Sequence, residues 1–138
     1  MIKLETKAET LRKLHNKLNC GKILSQIYFT VAEWRAGNPE IFWQQCLNEL
    51  KGVKVFIVRS SAINEDTSEN SQAGKFESVG NIKSEKEFIK AVESVIASFD
   101  DNNDGDQILV QPMLTDVMAC GVAFTLDPNA LGNYYVIN

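Results

Sequence analysis

The chain has 138 residues, 44% of them apolar and 23% charged, a composition that fits one globular domain or part of one and excludes disordered and fibrous classes. Its formal charge of −4 speaks against a generic nucleic-acid or anionic-membrane surface. No apolar run is long enough to cross a bilayer, the start MIKLETKAET has no signal-peptide core, and the three widely spaced cysteines (Cys20, Cys46, Cys120) form no CxxC and read as reduced thiols of a cytoplasmic protein.

Leu4, Ala8, Leu11, Leu14 and Leu18 recur at helical spacing, and Thr6 followed by Glu9 is a capping-box pattern, so a helix is predicted to start at Lys7. ILSQIYFT (Ile23 to Thr30) reads as a strand, and Thr30 with Glu33 repeats the capping signal for a short turn, VAEW. Asn38-Pro39 opens a second helix, EIFWQQCLNEL, which Gly52 closes. VKVFIV (Val53 to Val58) is a continuous apolar run and predicts a strand buried on both faces. After a long polar loop, FESVGNI predicts another strand. Ser84 and Glu87 cap a third helix with a stripe of Phe88, Val92, Val95, Ile96 and Phe99. Strands follow at QILVQPML, GVAFTLDP and NYYVIN. Strands mixed with about three helices indicate an α/β or α+β layer of sheet and helix; α+β, with a mixed or antiparallel sheet, is the expectation. The closing apolar run, NYYVIN, calls for a neighbour, so the chain is expected to be a piece of a larger protein.

Arg59 comes directly after the predicted VKVFIV strand. Its guanidinium stays charged and grips a phosphate or carboxylate with two parallel hydrogen bonds. A structural ion pair with Glu65 or Asp66 of the same loop is the other reading. The loop carries Ser60, Ser61, Ser68, Ser71 and Ser78, and Gly74 would let backbone approach an anion. Neither GxxxxGK[ST] nor GxGxxG occurs. Lys7 stands in the first turn of the first helix, where backbone N–H groups and the helix dipole favour an anion, or else it simply faces solvent. DDNNDGDQILVQ matches the first half of an EF-hand loop, but Gln111 stands where the bidentate glutamate is due and a strand follows instead of a helix, so calcium is rejected. His15 is the sole histidine and supports neither a triad nor a zinc site.

Taken together, VRSSAINEDTSENSQAGKFES and ILVQPMLTDVMACGVAFTLDP resemble the N-terminal ATP-binding domain of the phosphoenolpyruvate synthase / pyruvate phosphate dikinase family. Rifampin phosphotransferases and glucan, water dikinases are similar here too. The resemblance covers most of Val55 to Asn138 and, more faintly, the first 35 residues. It implies half of an ATP-grasp fold: a partial nucleotide-binding domain spanning residues 1–138 of a multidomain enzyme. That enzyme would pass a phosphoryl group from ATP through a histidine to pyruvate or another acceptor, with Mg²⁺ ligands, the other wall of the cleft and further domains lying beyond Asn138.

The resemblance also implies site roles. Arg59 would hold ATP phosphates, the SQAGKFES segment would close over them with Gly74 and Ser78 in contact, and VQPML would read adenine through Gln111 and the backbone around Met113. Lys7 lies where the family has a phosphate-binding lysine. Three departures accompany it: LETKAET lacks the glycines that flank that lysine, ILSQIYFT lacks the family's PPG, and Leu126 replaces the arginine of an FTRDP-like motif. No catalytic residue and no metal ligand is assigned within the chain, which alone is not expected to turn ATP over. The alternative is a non-catalytic nucleotide-binding or interaction module on the same fold.

Overall fold

The computed structural model describes residues 6–15, 17–62, 66–67, 70–71, 77–99, 103–124 and 135–137. Local capping chemistry fixes the helix starts. Helix α1 (Lys7–Leu14) begins where the Thr6 hydroxyl accepts the Glu9 N–H at 3.3 Å. Helix α2 (Val31–Ala36) and helix α4 (Glu85–Ala97) each open on a full capping box, Thr30 with Glu33 and Ser84 with Glu87. Helix α3 (Pro39–Glu49) starts on the Asn38 cap with proline in its first turn. The VAEW turn thus winds into a helix of its own, making four helical segments among the described residues rather than three.

Several element boundaries differ from expectation. Helix α1 stops at Leu14, so Leu18 is left exposed and the apolar spacing overran the helix. Strand β1 is only Ile27–Thr30. It pairs antiparallel with β6 (Gln107–Pro112), Ile27 opposite Val110. Two residues further along this register Pro112 would face Ser25, and proline has no N–H to give a ladder. Gly52, at φ +80°, turns the chain after α3, while Leu50 is the residue that caps it.

Strand β2 runs from Phe56 to Ser61, three residues past the apolar run, and lies between β6 and β5 (Ser78–Ile82). The central sheet is four-stranded and antiparallel throughout, in the order β1-β6-β2-β5. Two further short antiparallel pairs join β3 (Asp66–Thr67) to β4 (Asn70–Ser71) and β7 (Ala123–Phe124) to β8 (Val136–Ile137). The protein is therefore α+β.

Successive strand residues point to opposite faces and directly paired residues share one. Ile27, Phe29, Phe56, Val58, Ile108 and Val110 accordingly lie on a single face, and all belong to the core they form with Trp34, Trp43, Phe88, Val92 and Val95 of the helices. The rings interlock: Trp43 meets Phe56 edge-on at 5.5 Å and Phe88 at 5.5 Å, and Phe29 stacks on Trp34 at 5.6 Å. The aromatic core thus covers one face of β2, while on the other Ile57 and Arg59 are only half-buried, which corrects the expectation of full burial on both.

Candidate functional site

The other face of the sheet carries the candidate residues. One row crosses all four strands, Tyr28, Leu109, Arg59 and Ser78, each opposite the next. Arg59 is thus within β2 and not after it, flanked by hydrogen-bonded strands on both sides. That is a more rigid mount than a strand end. Its Nε is buried and has no hydrogen-bond partner among the described residues, although the residue as a whole is partly accessible. A buried, partnerless N–H on a charged group is costly. Of the two acids named as ion-pair partners, Glu65 lies outside the described residues and Asp66 is described in its backbone alone.

Ser78, cross-strand from Arg59, is exposed. Gln111 sits on the same face one step along the strands, opposite Ile57. Met113 follows β6 and donates its N–H to the Val55 carbonyl at 2.9 Å, which occupies one of the two backbone groups a base could use there. Its sulfur lies over Gly80 and Asn81: a Cβ on Gly80 would come within 3.0 Å of Sδ. The bulge in β5 supplies this close approach, because Phe56 faces Ile82 but Val58 faces Val79, and Asn81 takes up the additional residue at φ +61°. Gly74 lies outside the described residues, as does Leu126.

Helix α1 docks its first turn on the same face, one step along the strands, where Ser61 pairs with Gln107. The Thr6 hydroxyl donates to Gln107 Oε1 at 2.7 Å, Gln107 Nε2 donates to Glu9 Oε1 at 3.3 Å, and the Ala8 N–H donates to Ser61 Oγ at 2.9 Å. Lys7 Nζ reaches the Ser60 carbonyl at 3.4 Å, placing it beside Arg59 in the chain of β2. Sequence reasoning counted on free N–H groups here, but those of Ala8 and Glu9 are taken by Ser61 and Thr6. What the turn offers an anion is chiefly the lysine charge.

The sequence reading missed Gln26 and Gln107, and it placed Ser61 in a loop as a hydroxyl for an anion where the structure has it in β2, accepting the Ala8 N–H. Gln26 Nε2 donates to the Ala8 carbonyl at 2.8 Å, and Gln26 Oε1 accepts from Gln111 Nε2 at 3.3 Å. The available signal was alternation: counting by twos from Arg59 reaches Ser61, whose partner is Gln107.

Grooves formed by described residues lie elsewhere. One of about 290 Å³ is bounded by α1, residues 23–26 and the end of α3, and one of about 390 Å³ lies between β5 and α4. Arg59 lines neither. Among the described residues no group of three or more His, Cys, Asp or Glu is gathered so as to hold a metal ion, so no chemical step here is assigned to Mg²⁺. Asp104, of the EF-hand-like stretch, pairs with Arg35, and the carbonyls of Asp104 and Asp106 accept the first N–H groups of α2. No described helix is long and apolar enough to cross a membrane.

Residues 40–138 match the sequence model of the family described as pyruvate phosphate dikinase, AMP/ATP-binding domain. The match takes in β2, β5 and β6, and with them Arg59, Gly74, Ser78, Gln111 and Met113, but starts beyond α1 and Lys7. No curated protein and no solved structure matches the chain.

Proposed function

The chain belongs to the pyruvate phosphate dikinase AMP/ATP-binding domain family, and from that premise we propose that the sheet face carrying Arg59 is one wall of an ATP site of the ATP-grasp kind. Within a longer dikinase-type phosphotransferase, phosphoenolpyruvate synthase-like and cytoplasmic, this wall holds ATP while its phosphoryl group passes by way of a histidine to pyruvate or another acceptor. Arg59 and Lys7 take the phosphates, Ser78 and the Gly74 segment close on them, and the base lies toward Gln111 and the Met113 backbone. From the level of Arg59 to Met113 the strand advances roughly 13 Å, a distance suited to an extended nucleotide. Mg²⁺ would spread the phosphate charge, with ligands supplied from outside these residues.

The observation that supports this reading best is the buried Nε of Arg59, which has no hydrogen-bond partner among the described residues, on a charged side chain held by strands on either side. Two cations from neighbouring elements suit a triphosphate without a Walker loop. The test is the Kd for ATP of the wild type, Arg59→Met and Arg59→Lys. Loss of a charge-assisted pair of bonds predicts weakening by about 10- to 100-fold for methionine, with lysine between the two because it keeps charge but not the fork. An unchanged Kd in a folded Arg59→Met variant contradicts the reading.

A further inference from the structure

Ala8 is fully buried in the first turn of α1 and is held at both ends of its residue. Its N–H goes to Ser61 of β2, and its carbonyl receives Gln26 Nε2. The same Gln26 amide turns its oxygen to Gln111 Nε2 on β6. One side chain therefore joins the turn that carries Lys7 to the strand that carries Gln111. Among unbranched side chains of this length only glutamine does both: a carboxylate would face the Ala8 carbonyl with a lone pair, an ammonium would have no acceptor for Gln111, and an asparagine is one methylene short. The Gln26 contacts are partly buried, where water competes less well for them than at an open surface.

We propose that Gln26 is a positioning residue for the nucleotide site: it sets the placement of Lys7 relative to Gln111, and so the spacing between the phosphate end and the base end of the wall. The proposal rests on the nucleotide reading above and adds to it a residue that touches no ligand. Its distinctive consequence is coupling. Gln26 matters for ATP through Lys7, so its loss should cost little once Lys7 is gone. A side chain that merely supported the fold would weaken binding by the same factor in either background.

The experiment is a double-mutant cycle on the full chain, measuring the Kd for ATP by calorimetry for wild type, Gln26→Leu, Lys7→Met and the double variant. Gln26→Met serves as a second, unbranched replacement should leucine fail to fold, and thermal melts check that each variant is folded. The expected result is a loss of about fivefold to tenfold for Gln26→Leu or Gln26→Met, shrinking to within about twofold in the Lys7→Met background. Losses that multiply, or a Gln26 replacement that leaves ATP binding unchanged, overturn the positioning role while leaving the nucleotide site standing. Absence of ATP binding by the wild type overturns the nucleotide reading and the positioning role together.

Discussion

Arg59 shows how a single side chain can be poor for the fold and good for a ligand. A buried N–H without a partner costs about 1–3 kcal/mol, so Arg59→Met, similar in length and apolar, should keep or raise the melting temperature even as it loses ATP. Opposite effects on stability and binding mark a residue retained for what it holds. Cys46 is the converse case. Burial pushes its thiol up to about 12, with Glu49 nearby adding to the shift, and the residue is fully covered between α3 and the core. It stays protonated and unreactive, whereas Cys20 and Cys120 are exposed. Treating native protein with iodoacetamide at pH 8 should label two cysteines, and denatured protein three; native labelling of Cys46 would contradict the packing described. Alternation alone places Ser61 on the Arg59 face once β2 is known to extend that far, but its partner Gln107 follows only from the strand register. The bonds of Gln26 were not, because they join residues 18 and 85 positions apart and nothing in local spacing announces them.

Helices were read well at their starts because the start is local chemistry. Thr6, Thr30, Asn38 and Ser84 each accept an N–H from their own first turn. Strand limits were read poorly because they are set by a partner far away. The polarity of Arg59, Ser60 and Ser61 suggested a loop, yet β6 pairs with all three, both serines are buried, and Ser61 accepts the Ala8 N–H of the α1 turn. The α4 cap provides a test at this scale. The Glu87 carboxylate is held below the usual carboxylate range, first by the Lys83 N–H and then by Ser84. A lowered folded-state pKa contributes stability that is complete above the unfolded value and disappears as pH falls through the folded one. Ser84→Ala should cost about 1 kcal/mol at pH 7, measured by urea unfolding, and the gap to wild type should narrow in acid. A gap that widens on acidification would rule out the capping account.

Viewed whole, the molecule is a layer with two unlike faces. Helices α3 and α4 and their aromatic cluster close one face, and that separation is why the second can present Arg59, Ser78 and Gln111 in register. The fold class and the family were legible from two motifs in the segment that the family match also covers. The placement of Lys7 against β2 was not, since it depends on four polar side chains, Thr6, Gln26, Ser61 and Gln107, that come from separate stretches of the chain. Amide hydrogen exchange on the full chain, with and without saturating ATP and Mg²⁺, is the most direct measurement of the central claim. Protection should appear in residues 57–61, around Ser78 and across 109–113, with little change in α3 and α4. Protection confined to the helices, or to the groove between β5 and α4, would contradict it.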